Sequence, residues 1–261
     1  MARADESSSP RYSLGPILPI NRDVNRLVTQ PSGGIPLGGA ESDLGYVKLQ
    51  ETPWRGHWLL QREVLRHTRP GDRIFEGGVS TGYLSRRFVE EGRRVDGAEI
   101  DPRAARQAEK VCERVWVGDL EQLDVDELST YDVFLFGDTL EHLADPVGLL
   151  RRLRPKLNPA GTLVVSLPNV ANWTMRLRLL LGRFDYTERG ILDRTHLRFY
   201  TKRTARQMLE AAGFEVVRLQ ATVPVPLLTR ASLSRLAYLA GNLWPSFFAY
   251  TFVITARPSG G

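Results

Sequence analysis

Apolar and polar positions along this chain switch repeatedly between a short continuous period and a helical one. From Trp54 to Thr68, Trp58, Leu59, Leu60, Val64 and Leu65 recur at helical spacing and predict an amphipathic helix packed beside the first strand. Pro70-Gly71 resets the chain. The spacing then predicts a strand at Arg73–Gly77, a helix at Gly82–Glu91, a strand at Arg94–Glu99 and a helix at Pro102–Lys110. A short strand at Arg114–Val117 and a stronger one at Tyr131–Phe136 follow. Next come a helix at Pro146–Leu157, a turn at Pro159–Gly161 and an apolar strand at Thr162–Leu167. Strands alternating with helices in this way imply a doubly wound α/β domain, with a mostly parallel sheet and helices on both faces.

After Pro168 the rhythm breaks. Residues Asn169–Gly182 read as helical and 183–200 as a loop. Thr201 is placed to cap a helix that runs to Ala212 and stops at Gly213. Two late strands, Phe214–Thr222 and Phe247–Ala256, flank a proline-bearing helical insertion over 223–246. At the other end, residues 1–40 are rich in Ser, Pro and Gly without periodicity, which predicts a flexible leader. A helical segment over 41–70 then leads into a single domain over 71–261.

Composition narrows the setting. The 261 residues, 42% hydrophobic and 25% charged, suit one generous soluble domain. The single cysteine, Cys112, excludes an internal disulfide framework and a thiolate-rich metal site, and fits a reducing cytoplasm. The first ten residues hold no apolar run of a signal peptide, and no apolar stretch is long enough to span a bilayer. The net charge of +5 admits an anionic partner, but the arginines are dispersed, with short clusters at Arg151-Arg152 and at Arg176, Arg178 and Arg183. That dispersal favours solvated arginines over a nucleic-acid groove.

The candidate chemistry lies at the strand ends. Glu76 closes the first strand and precedes the turn Gly77-Gly78-Val79-Ser80-Thr81-Gly82. Glu99 closes the second strand, Asp119 follows the third and Asp138 the fourth. Glycines let backbone approach a ligand closely, and a helix start offers unpaired N–H groups. An acid at the second strand end is placed to accept both hydroxyls of a ribose. One at the third is placed to accept from an adenine amine, so the set describes a pocket for an adenosyl group.

Together with Leu140-Glu141-His142-Leu143, this set resembles the class I S-adenosylmethionine-dependent methyltransferases, in particular the small-molecule O-methyltransferase-like branch. The resemblance covers residues 55–220. It implies a seven-stranded Rossmann-like sheet with a terminal antiparallel strand, and S-adenosylmethionine as cofactor. Carried over, Glu76, Gly78, Ser80 and Gly82 surround the methionine end, Glu99 holds the ribose and Asp119 the adenine, and Leu120 and Asp138 complete the set. Two positions depart from the family pattern, with Glu76 where aspartate is usual and Ser80 where the middle glycine is usual. A nicotinamide dehydrogenase ranks below, because its G-x-G-x-x-G spacing is met here only by Gly78 and Gly82.

Proton removal from an acceptor hydroxyl is open to three readings. His142 or His196 is a candidate general base. Alternatively, Asp138, Glu141, His142 and His196 resemble the metal set of small-RNA terminal methyltransferases and of ubiquinone-pathway O-methyltransferases, which implies a divalent Mg, Mn, Fe or Zn ion. In the third reading these residues only cap and pack. His57 and His67 read as surface or packing residues. Trp173, Phe184, Tyr186, Phe199 and Tyr200 are candidates for an acceptor pocket or for ordinary core.

In this fold the segment 169–200 forms the lid over the acceptor. Its polar residues point to an oxygen-rich acceptor such as a sugar, glycan or natural product, and to O-methylation. The 223–246 insertion fits a capping helix or homodimer face better than an interfacial helix meeting a membrane-linked acceptor. An RNA acceptor, or a non-catalytic scaffold that keeps only the fold, is the alternative from another class.

Overall fold

The computed structural model describes residues 55–223 and 231–260. The leader expected over 1–40, the segment 41–54 and the start of the 223–246 insertion lie outside the described residues. Seven strands form one sheet in the order β3-β2-β1-β4-β5-β7-β6. Strands β1 (Arg73–Gly77), β2 (Arg94–Glu99), β3 (Arg114–Val117), β4 (Tyr131–Gly137) and β5 (Leu157–Pro168) run parallel. Strand β7 (Thr251–Pro258) inserts antiparallel between β5 and β6 (Phe214–Thr222). Strand order reverses between β1 and β4, and parallel α/β sheets open their ligand crevice at the carboxyl ends around such a point. The seven-stranded, mostly parallel sheet with a late antiparallel strand is thus as expected.

Alternating side chains divide the core into two layers. Ile74, Val95, Val133, Leu135 and Val164 point to one face, where they meet Leu59, Leu60 and Val64 of helix α1 (Gly56–Arg66) and Phe88 of α2 (Ser85–Glu90). Phe75, Phe134, Phe136, Leu163 and Val165 point to the other. They meet Leu149, Leu150 and Leu153 of α4 (Pro146–Leu153) and Ala205 and Leu209 of α6 (Lys202–Ala211). The central strands β4 and β5 are largely apolar on both sides because helices cover both sides, as in sheets buried on two faces.

Local chemistry sets the helix starts. Asp101 accepts from Arg103 N at 2.8 Å and Pro102 opens α3 (Pro102–Ala108). Asp145 accepts from Gly148 N at 2.9 Å ahead of α4. Thr201 and Thr204 bond each other's backbone N–H at the start of α6.

Five boundaries differ most from the sequence reading. The helix expected from Gly82 begins at Ser85, because Gly82 is left-handed at φ 77° and cannot join it. The helix expected to reach Leu157 ends at Leu153, where Pro155 reduces the next residues to a tight turn. Leu157 instead pairs with Tyr131, so the expected Pro159–Gly161 turn is an outward loop within β5 before Thr162 pairs with Val133. The expected Asn169–Gly182 helix is α5 (Trp173–Leu180), capped by Asn172. The strand expected from Phe247 starts at Thr251. Pro245 at the first helical position makes residues 245–248 a helical turn, α8 (Pro245–Phe248), directly after α7 (Ala231–Leu243).

Candidate active site

The turn after β1 is held by the neighbouring strand ends. Gly78 N and Val79 N donate to Ala98 O at 2.9 and 3.0 Å, which ties the turn to β2. Thr139, just past β4, donates from its hydroxyl to Gly77 O at 3.0 Å. Gly78 has φ 73°, and a Cβ there would lie 2.7 Å from Thr139 Oγ1, so only glycine fits between the two strand ends. At Gly82 a Cβ would come within 3.3 Å of Ala108 Cα, which lets the turn seat on α3. Gly77 lies within buried β1, where a Cβ would collide with the Phe136 ring.

Glu99 joins the turn to the second strand. Its Oε2 accepts from Ser80 N at 2.8 Å and its Oε1 from Asp101 N at 2.9 Å. Each oxygen keeps a further lone pair, enough to receive a pair of vicinal hydroxyls. Ser80, at the family's middle-glycine position, is left-handed with φ 52°. A left-handed L-residue costs about 1 kcal/mol or more. Ser80→Gly is therefore expected to raise the melting temperature by about 2–4 °C. The bond to Glu99 comes from backbone and survives the change. A lower melting temperature in a thermal scan would show that the serine side chain contributes more than the strain removes.

Beyond β2 a cleft of about 250 Å³ is lined by Ala98, Trp116, Val117, Gly118, Asp119 and Gln122 among others. Asp119 is exposed at its rim and caps the following turn, its Oδ1 accepting from Glu121 N at 2.8 Å. Leu120 is buried in the same core layer as Ala98, so its side chain backs the cleft from beneath. Trp116 donates from Nε1 to Glu127 Oε2 at 3.0 Å and carries the Arg114 guanidinium 4.2 Å above its ring.

Glu76 sits behind the turn, fully buried, and accepts from the Ser85 hydroxyl. Burial, helped by the charge of Glu99, pushes its carboxyl up to about 8, against the opposing effect of the Ser85 bond. The protein on its own therefore holds a largely neutral carboxylic acid there at neutral pH.

On the far side of the β4 end, Glu141, His142 and His196 bring one ligand atom each to within 4.8 Å of one another. The two imidazoles meet edge to face with centroids 4.7 Å apart. His196 Nδ1 lies 3.1 Å from Ile191 O, an acceptor only, so the hydrogen is on Nδ1 and Nε2 carries the lone pair. His142 Nδ1 faces Thr195 O at 3.2 Å and Thr195 Oγ1 at 3.1 Å, and that hydroxyl already donates to Asp193 Oδ1 at 2.6 Å. His142 is thereby also fixed as the Nδ1–H tautomer. Backbone and hydroxyl acceptors on the outer nitrogen are the usual means of orienting a histidine whose other nitrogen binds a metal.

Glu141 is buried and neither carboxylate oxygen has a hydrogen-bond partner. Its Oε1 lies 3.9 Å from His196 Nε2, too far for a hydrogen bond. Burial first, then the nearby Asp138, holds the Glu141 carboxyl well above its usual range. Burial first, then His142, holds His196 below its own. Both groups favour the neutral form without a ligand, so this contact is not an ion pair.

Asp138 does not join these three donors. Its backbone is left-handed (φ 48°), its N–H donates to Ser166 Oγ at 2.8 Å, and the Ser166 hydroxyl donates back to its Oδ1 at 2.8 Å. The exposed carboxylate instead sets the local field, raising Tyr83 and Glu141 and opposing the burial that lowers His57.

His57 packs, as the sequence reading allows, 5.2 Å from the Tyr83 ring, within reach of the Asp138 charge. The signal was present, since His57, Leu60, Gln61 and Val64 share the i, i+3, i+4, i+7 stripe of α1. His67 is not near this group.

Above the cluster the loop hangs from one carbonyl, with Leu197 N and Arg198 N both donating to Glu141 O at 2.9 Å. Phe184, Tyr186 and Phe199 pack edge to face beside His196, with Phe184 and Tyr186 exposed. Tyr200 belongs to the core, and Trp173 is partly exposed on α5.

A family model described as a methyltransferase domain matches residues 55–219. The ubiquinone biosynthesis O-methyltransferase of Azorhizobium caulinodans is 30% identical over 171 residues, 62% of this chain and 67% of the relative. Those of Xanthomonas campestris are 27% identical over 116 residues, 42% of this chain, and the chain spans about half their length, 48%. The tRNA 5-carboxymethoxyuridine methyltransferase of Escherichia coli is 28% identical over 158 residues, 56% of this chain and 60% of that protein. Among solved structures, the magnesium protoporphyrin IX methyltransferase of Synechocystis with bound S-adenosylhomocysteine superposes with a TM-score of 0.54 at 18% identity. That match covers 77% of this chain and 81% of the other.

Proposed function

The chain belongs to the methyltransferase-domain family and is an S-adenosylmethionine-dependent methyltransferase, and from that premise we propose that it methylates a hydroxyl of an oxygen-rich small molecule, a sugar, glycan or natural product, with a divalent cation held by Glu141, His142 and His196. One observation supports the metal-assisted reading above the others. Glu141 is a buried carboxyl with two unpartnered oxygens, beside two imidazoles whose free nitrogens are Nε2. One carboxylate and two imidazoles suit an intermediate divalent ion such as Zn, Fe or Mn better than Mg.

When bound, S-adenosylmethionine supplies an electrophilic methyl group on a sulfonium, and the protein has to align the acceptor with it. The Gly78 turn and Thr139 shape the strand-end crevice, and Glu99 has the lone pairs to hold the ribose hydroxyls. Glu76 lies behind the turn, where the cofactor's ammonium would draw its proton off. A cation on the three-residue set would bind the acceptor oxygen and lower its pKa. Without a cation, neutral His196 with its free Nε2 is the alternative proton acceptor. The relative that acts on tRNA supports an RNA acceptor as the second reading.

Calorimetric titration of S-adenosylmethionine is expected to show micromolar binding that Glu99→Ala weakens about fiftyfold, from the loss of two charge-assisted hydrogen bonds. Turnover is then measured on hydroxylated small molecules, amines and RNA, with and without chelator. Full activity in metal-free protein discards the cation, and equal activity on amines discards the hydroxyl acceptor.

A further inference from the structure

Away from the crevice, two helices show apolar stripes to solvent. On α5, Trp173, Leu177, Leu180 and Leu181 follow the i, i+4, i+7, i+8 spacing of one helical face, and all are exposed, Leu180 by 82%. On α7, Leu236, Leu239 and Leu243 follow i, i+3, i+7 and are also exposed, Leu243 by 88%. Helix α7 is already docked by its opposite side. Tyr238 donates to Gln220 Oε1 at 2.8 Å, and Asn242 Oδ1 accepts from Ala221 N at 2.9 Å. Gly241 lies so close to Val223 that no Cβ fits. The leucine stripe is therefore surplus to holding the helix on the sheet.

Helix α8 links the two helices. Arg176 of α5 lies over the Phe247 ring of α8 at 5.5 Å, and Asn172, which caps α5, donates to Phe248 O at 3.1 Å. Trp244 and Phe248 add exposed aromatic surface at this junction. Large contiguous apolar patches are rare on monomeric soluble surfaces and mark contact sites.

We propose that this α5/α7–α8 face docks on the anionic surface of a lipid bilayer. Charge selects that occupant. Arg176, Arg178, Arg183 and Arg235 are exposed on or beside the two helices. No acidic residue occurs in 173–184 or 231–250, although about one residue in nine of the whole chain is acidic. None of the four arginines pairs with a carboxylate among the described residues. Leucines and a tryptophan within an arginine rim match the depth profile of a bilayer interface, apolar below and anionic at the headgroups. A second copy seated on the same face would set these arginines against their own symmetry mates with no carboxylate to pair them. No described helix is long and apolar enough to cross a membrane, so the contact is interfacial. Met175, on the inner side of α5, packs with Ile191, Leu192 and Phe199 of the acceptor loop, so the docked face borders the mouth of the site.

The test is co-sedimentation of the full chain with phosphatidylcholine vesicles containing about one third phosphatidylglycerol, against pure phosphatidylcholine. The comparison protein is Leu180→Asp/Leu243→Asp, whose fold is checked by its unchanged affinity for S-adenosylmethionine. Binding to the anionic vesicles is expected, at least about tenfold weaker on the neutral ones, and lowered about tenfold or more by the double variant. No binding by the wild type, or equal binding by the variant, overturns the proposal. So does a wild-type dimer in sedimentation velocity that the variant dissociates without any vesicle binding, which would assign the face to a second copy. The readout needs no methyl transfer, so its failure is separate from failure of the acceptor reading.

Discussion

Glu141→Gln is expected to lower kcat by about a thousandfold, the upper end of the loss seen when a group that stabilises a developing oxyanion is removed. Binding of S-adenosylmethionine is expected to stay within about twofold, because Glu141 lies beyond Thr139 from the cofactor turn. The substitution separates chemistry from folding. Burial disfavours the charge on Glu141 and neither oxygen is partnered, and glutamine has nearly its shape without a charge, so the melting temperature should hold. What glutamine removes is the anionic ligand, and the bound metal counted by elemental analysis should fall with kcat. Loss of metal at unchanged kcat would leave His142 and His196 as packing or base residues and end the metal-assisted reading.

Glu76 should set much of the pH dependence of the cofactor-free protein. In the unfolded chain its carboxyl titrates near 4.5, whereas burial raises it to about 8 in the fold. Between those values the folded state keeps a proton that the unfolded state has released. Stability is therefore full below pH 4.5 and falls by about 1.4 kcal/mol per unit as pH rises through 8, approaching a loss of about 5 kcal/mol. Glu76→Gln, which copies the neutral acid and can still accept from Ser85, should show a flatter profile and exceed the wild type in stability above pH 7. Denaturant unfolding at pH 5, 7 and 9 measures this. Overlapping profiles for the two proteins would mean that the carboxyl ionises freely where it stands.

The strand-end acids were legible because each follows an apolar strand, and a parallel sheet gathers such ends at one edge whatever the loops do. Glu76, Glu99, Asp119 and Asp138 needed only the strand pattern. The helix stripe that carries His57 was equally visible, but a histidine in it is ordinary until the sheet places that helix end beside Asp138. The donor set was half legible. Glu141 and His142 share a turn, while His196 is 54 residues on and is brought in by loop bonds to a carbonyl, which leave no periodic signature. Asp138 misled for a related reason. Its spacing from Glu141 fits a ligand set, but its left-handed backbone and its exchange of hydrogen bonds with Ser166 commit it elsewhere. Boundaries failed where a proline or a left-handed glycine intervened, at Pro155, Pro245 and Gly82, since such residues end one pattern without specifying the next.

The loop over the donor set is suspended from Glu141 O, and the Glu141 side chain is itself one of the donors. Residues 193–198 can rise only by tugging on Glu141, and Ile191 O holds His196 from the other side, whereas the outer arc from Trp173 to Gly190 makes no hydrogen bond to the three donor side chains among the described residues. On the proposed reading, evolution can redraw the arc for a new acceptor while the hinge by the donor set stays fixed, and grafting 173–190 between relatives is the natural route to new specificity.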